Sequence, residues 1–143
     1  MESYVDPSTE QYAHFKGLTR EGPIHMLNLV RLRAQAQYPD GRKASGEEAY
    51  RAYAEASGPV FARVGGKQFW VGRFECTLIG PSDERWERAF IAEYPSFHAF
   101  VEMLADPVYR EAVKHRQAAV ETSRLIRLQP SAPGARFGEA AGG

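Results

Sequence analysis

The stretch Phe69-Trp70-Val71-Gly72-Arg73-Phe74-Glu75-Cys76-Thr77-Leu78-Ile79 runs into Gly80-Pro81-Ser82-Asp83, and Trp86-Glu87-Arg88-Ala89-Phe90-Ile91-Ala92-Glu93-Tyr94 follows. Two runs rich in β-branched and aromatic residues on either side of a turn cluster predict a β-hairpin. Alternation puts Phe69, Val71, Arg73, Glu75, Thr77 and Ile79 on one side of its first strand and Gln68, Trp70, Gly72, Phe74, Cys76 and Leu78 on the other. The second strand splits into Trp86, Arg88, Phe90, Ala92 and Tyr94 against Glu87, Ala89, Ile91 and Glu93. Large apolar groups stand on both sides, so alternation alone leaves open which side meets helices.

Working outward, Ser45 and Glu48 form a capping box ahead of a helix with Tyr50, Tyr53, Ala54 and Ser57 on one face. Gly58-Pro59 is expected to kink or interrupt that helix, and Gly65-Gly66 to end it. Before it, Ile24-His25-Met26-Leu27-Asn28-Leu29-Val30-Arg31-Leu32 is too apolar for a half-exposed strand and predicts one covered on both faces. The intervening 34–44 segment holds the turn triplet Pro39-Asp40-Gly41 and reads as a loop. Beyond the hairpin, Ser96 caps a helix with the stripe Phe97, Phe100, Val101 and Leu104, and Asp106-Pro107 restarts it in a new direction. Leu125–Leu128 reads as a short last strand. At the start, Asp6-Pro7 opens a short helix over about Pro7–Leu18, with Asp6 as its N-cap.

Setting that first helix aside, the order is strand, helix, strand, strand, helix, strand. This is the split βαβ, or ferredoxin-like, arrangement, an α+β fold with helices on one face of a four-stranded antiparallel sheet. The expected organisation is an N-terminal helix and linker over 1–23, the α+β domain over 24–129, and a loose tail over 130–143. In that tail eleven of fourteen residues are Pro, Ser, Ala or Gly, too few apolar groups to offset ordering entropy. The uncovered sheet face would leave a large apolar patch in water, so a second copy packed sheet to sheet is the economical solution.

Composition excludes several classes. Lys plus Arg and Asp plus Glu each number 18, so the chain lacks the basic excess of a dedicated nucleic-acid binder. Cys76 is the single cysteine, which rules out an internal disulfide and a thiolate zinc cluster and fits a reducing compartment. No apolar run approaches the ~20 residues that span a bilayer. The N-terminus lacks a secretory signal's basic start and apolar core, so a cytoplasmic location is expected, without membrane contact.

The ordered set Met26–Leu32, Tyr50 and Tyr53 before Gly65-Gly66, Glu93–Phe100 and Asp106–Arg110 resembles the family named domain of unknown function 1330. The resemblance spans roughly Ile24–Leu128. It implies the dimeric α+β barrel superfamily, with relatives such as antibiotic-biosynthesis monooxygenases, and hence a homodimer. It supplies no reaction, because a fold does not determine one.

The candidate ligand-binding residues are Asn28, Tyr53, Trp70, Arg73, Glu75, Trp86, Arg88 and His98. Asn28 sits in the most apolar strand, where a buried amide needs partners. It either reaches a ligand or ties down a neighbouring loop or helix end. Arg73, Glu75 and Arg88 are expected to share a hairpin face, where an arginine holds a carboxylate ligand or forms a rim ion pair. Trp70 and Trp86 either line a flat pocket or pack in a core or interface. His14, His25, His98 and His115 show no metal-ligand spacing, so neither metal nor cofactor is expected, and no nucleophile signature stands out. Haem-degrading members of the superfamily use an Asn, a Trp and a His, a trio that Asn28, Trp86 and His98 would mimic, giving a lesser alternative. The leading expectation is a homodimer binding a small organic molecule in a barrel pocket, with cofactor-independent oxygenation or isomerisation as its chemistry if it is an enzyme. The alternative is a non-catalytic binding or stress-associated dimer.

Overall fold

The computed structural model describes residues 2–136 and 138. The elements are α1 (Thr9–Gly17), β1 (Ile24–Leu32), α2 (Gly46–Arg63), β2 (Lys67–Gly72), β3 (Arg88–Tyr94), α3 (Phe97–Ala105), α4 (Pro107–Ala119) and β4 (Val120–Leu128). The strands pair antiparallel in the order β2-β3-β1-β4, so the fold is ferredoxin-like with one added N-terminal helix.

Register settles which side faces the helices. Val71, Phe90, Asn28 and Leu125 form one row across the sheet, and Gln68, Ala92, Met26 and Arg127 the next on the same side. Ile24, Met26, Ala92 and Tyr94 of this side pack with Val60, Phe100, Met103 and Tyr109 of the helices. A second cluster joins Val30 and Leu32 to Ala49, Tyr50 and Ala119. The opposite side carries the row Trp70, Ile91, Leu27 and Ile126, and no element of the chain among the described residues covers it.

Local chemistry explains most boundaries. Ser45 Oγ accepts from the Glu48 N–H at 3.0 Å while Glu48 Oε1 accepts from the Ser45 N–H at 2.9 Å, the reciprocal box that starts α2. Asp106 ends α3 and starts α4: its Oδ1 accepts from the N–H groups of Val108 and Tyr109. Proline at the next position needs no backbone donor there.

Several expectations are corrected. The first helix is capped by Ser8, whose Oγ accepts from the Gln11 N–H at 3.1 Å, and Asp6 instead accepts from the Gln117 side chain at 3.3 Å. The helix α2 runs unbroken through Pro59. Val60 packs in the core just past the proline and the Ser57 hydroxyl donates to the Tyr53 carbonyl at 2.7 Å just before it, and this support outweighs one missing backbone bond. β4 is longer than its expected Leu125–Leu128 and follows α4 without a loop.

The hairpin is shorter than expected. β2 ends at Gly72, so Arg73–Ile79 leaves the sheet, and β3 starts at Arg88 rather than Trp86. Glu87 accounts for part of this: its Oε1 accepts from the Leu32 N–H at 3.4 Å and from Arg85 Nε at 3.0 Å, drawing this stretch toward the end of β1. In the loop between, Leu78 and Ile79 are 91% and 93% exposed. A register shift between Gln68 and Trp70 also breaks the simple alternation. With the extra residue, Phe69 no longer opposes Trp70: its ring lies 4.4 Å from His25, on the open side with Trp70.

The N-terminal segment lies along β4. The Tyr4 N–H donates to Thr122 Oγ1 at 3.0 Å, and the Ser123 N–H donates to the Tyr4 carbonyl at 2.7 Å. At the other end, 131–136 and 138 are exposed and outside any helix or strand, and the rest of the expected tail lies outside the described residues.

Candidate functional site

Between the sheet and its helices lies a cavity of about 960 Å³. β1 and β3 form its floor with Met26, Asn28, Phe90 and Ala92, and α2, α3 and α4 wall it with Tyr50, Tyr53, Phe100, Met103, Tyr109 and Val113. α1 lies across one side, contributing Tyr12 and Phe15. Phe15 meets Phe97 and Phe100 edge-on at 6.2 and 5.4 Å, and α1 has no fully buried residue of its own.

Helical spacing gathers the hydroxyls. Tyr50 and Tyr53 stand one turn apart on α2, ring centroids 5.5 Å apart. Tyr53 Oη lies 2.8 Å from Tyr109 Oη, and Tyr94 Oη donates weakly to Met103 Sδ at 3.9 Å. Burial pushes the hydroxyl pKa values of Tyr50, Tyr94 and Tyr109 well above the usual phenol range. These groups stay protonated at neutral pH and act as hydrogen-bonding groups rather than as bases.

Among the described residues, Asn28 ties down no loop or helix end. Its Nδ2 donates at 3.0 Å to the carbonyl of Met26, two residues back in its own strand, and the side chain lines the cavity. A side chain held only locally, beside open space, is cheap to remove. The Asn28→Ala protein is expected to lose less than about 1 kcal/mol in urea unfolding, below the 1–3 kcal/mol of a stranded buried partner.

Of the other candidate residues, Tyr53 and Arg88 also line the cavity. Arg88 pairs with Glu47 of α2, and its guanidinium lies 5.5 Å from the Tyr50 ring. Trp70 stands on the open sheet side, 49% exposed. Arg73 and Glu75 lie in the loop after β2 and are exposed, so they share no hairpin face with Arg88, although Arg73 and Arg88 border a second, shallow pocket. Trp86 lies outside the cavity, 5.4 Å from the Arg124 guanidinium. His98 is exposed on α3 against Phe97. Asn28, Trp86 and His98 therefore do not share one site. Among the described residues no group of three or more His, Cys, Asp or Glu gathers as metal ligands, and no helix is long and apolar enough to cross a membrane.

Residues missed from the sequence are Tyr94, Tyr109, Arg116 and Arg127. The spacing Tyr109, Val113, Arg116 marks one face of α4, and that signal was available. Arg127 depended on register: it neighbours Met26, and its guanidinium sits 5.3 and 5.8 Å from the rings of Phe15 and Phe97.

The model of the family described as Domain of unknown function (DUF1330) matches residues 42–127. The chain belongs to the DUF1330 family. It is also 64% identical to the RPA0582 protein of unknown function from Rhodopseudomonas palustris, with a TM-score of 0.89 over 92% of this chain and 100% of that one. Methylated RPA0582 gives 65% identity and a TM-score of 0.91 over 94% and 100%. A putative antibiotic biosynthesis monooxygenase from Caulobacter crescentus CB15 is 13% identical, with a TM-score of 0.52 over 83% and 99%, a likeness of fold. No curated protein matches. DUF1330 membership thus accounts for the architecture, while the match itself begins after β1 and leaves α1 and Asn28 outside it.

Proposed function

We propose that this DUF1330 protein is a homodimer, paired sheet to sheet, that binds a small organic molecule in the cavity of each protomer. The observation that carries the binding part is the cavity itself: about 960 Å³, walled by aromatic rings, with a few hydroxyl, amide and guanidinium groups among them. That size and make-up suit a ligand of several rings. The dimer is supported by the apolar row Trp70, Ile91, Leu27 and Ile126 on the open side, flanked by Phe69 and Leu128. Leu78 and Ile79 add apolar surface nearly bare of contact.

Chemistry on a bound molecule, oxygenation or isomerisation, would rest on hydrogen bonds to a developing oxyanion, because the buried tyrosines of the cavity do not ionise near neutral pH. A thermal-shift panel of two- and three-ring aromatic alcohols, ketones and acids tests the binding. A ligand at 100 times its Kd is expected to stabilise the protein by about 2.7 kcal/mol. A flat response across the panel, matched by no heat in calorimetric titration, would overturn it.

A further inference from the structure

The polar groups of the cavity are not spread evenly. Its Tyr94, Phe100 and Met103 wall carries one polar side-chain group, the Tyr94 hydroxyl, which is occupied by Met103 sulfur, and beyond Phe100 the Arg127 guanidinium is covered by the Phe15 and Phe97 rings. The Tyr50 side is different. Tyr50 is only 6% exposed, yet its hydroxyl makes no hydrogen bond among the described residues. It is not sealed in protein either, since the side chain lines the cavity. A protonated buried phenol facing open space is a donor without an acceptor, which a folded protein leaves only where something else completes it.

Two guanidinium groups line the cavity near Tyr50. Arg88 lies over the Tyr50 ring at 5.5 Å, with its charge balanced by Glu47. Arg116, in the last turn of α4, also acts on Tyr50 through its charge. Its Nη1 donates to the Val5 carbonyl and its Nη2 to Ser123 Oγ at 3.1 Å, both neutral acceptors. No carboxylate lies within ion-pair distance of Arg116 among the described residues. A guanidinium has five N–H donors, so three remain. Among the described residues, the only carboxylate lining the cavity is Asp6, which is exposed and engaged by Gln117. This end of the cavity therefore has surplus positive charge and surplus donors.

We infer that the Tyr50–Arg116 end of the cavity is an anion subsite, and that the ligand is an aromatic or otherwise apolar carboxylate, its carboxylate accepting from Tyr50 and Arg116 and its body lying toward Tyr94, Phe100 and Met103. A single planar anion matches the Arg116 cation and one neutral donor, and the Tyr94 and Phe100 rings with the Met103 thioether call for a hydrophobic body. This rests on the cavity being the binding site, as proposed above.

The test compares 2-naphthoate with 2-naphthalenemethanol, which share a ring system and differ in charge, by calorimetric titration of the full chain. The wild-type protein is expected to bind naphthoate about tenfold more tightly than the alcohol, the range of one hydrogen bond to a charged group. Tyr50→Phe removes one oxygen and keeps the ring. It is expected to weaken naphthoate about tenfold and the alcohol less than about twofold. Arg116→Gln is expected to abolish the preference and Arg116→Lys to restore part of it, which separates charge from a general packing loss. Equal binding of both probes, unchanged in Tyr50→Phe, would overturn the anion subsite while leaving the cavity reading intact. Binding of neither probe would overturn both.

Discussion

A carboxylate placed on the open sheet face is expected to convert a dimer into a folded monomer. Ile126 and Trp70 terminate the row Trp70, Ile91, Leu27, Ile126, and each is about half exposed in one chain, at 43% and 49%. Their side chains touch little of their own protomer's core, so Ile126→Asp and Trp70→Asp should leave the fold intact. In a sheet-to-sheet pair the same positions are buried, and an unpaired charge there costs several kcal/mol. That penalty is counted in both copies under two-fold symmetry. Light scattering at micromolar concentration is expected to give twice the chain mass for the wild-type protein and the single-chain mass for either variant, with unchanged far-ultraviolet circular dichroism. A wild-type protein that scatters as a monomer would remove the dimer from the proposed function.

The largest loss of stability is expected from the smallest substitution, Gly46→Ala. Gly46 opens α2 where the chain passes close to the end of β1. A methyl group there would stand 1.9 Å from the Arg33 carbonyl oxygen and 2.9 Å from its carbon. The obstacle is backbone, so no rotamer change clears it. Either the capping box or the bond from the Gly46 N–H to the Ala34 carbonyl at 3.3 Å has to shift. Overpacking of this kind costs about 3 kcal/mol. Urea unfolding should show a lower midpoint with an unchanged slope. Gly17→Ala, in α1, is the control, because a methyl group there meets nothing within 4 Å and alanine is the better helix former.

The element order was legible because each boundary carries its own chemistry. The Ser45–Glu48 box and the Asp106-Pro107 restart each report a local preference that the packed chain keeps, and the apolar weight of β1 marks its inner place in the sheet, although no element among the described residues gives it the expected cover on its second face. What remained hidden was what depends on partners. The β-forming run after Gly72 has no strand beside it in its own chain, so residue preference alone overextended β2. Pro59 reads as a breaker, yet burial on both sides carries α2 past it. The cavity was half legible. Asn28, Tyr53 and Arg88 were found as polar groups at informative places, whereas Arg116 and Arg127 required knowing how α4 and β4 sit over the rest. Strict alternation separates Phe69 from Trp70, whereas the extra residue at the bulge puts both on the open side.

The backbone of Tyr4 lies against the outer edge of β4, while the opposite edge, β2, is short and interrupted by its bulge. A sheet grows into filaments by recruiting new strands at its sides, and both sides here are poor templates for that. Attraction between chains is left to the flat face. Two faces that meet about a two-fold axis satisfy each other and offer nothing to a third chain. In the proposed dimer the Tyr4 segment thus keeps a sticky surface from becoming a polymerising one, although it lies far along the sequence from the apolar row whose pairing it would make finite.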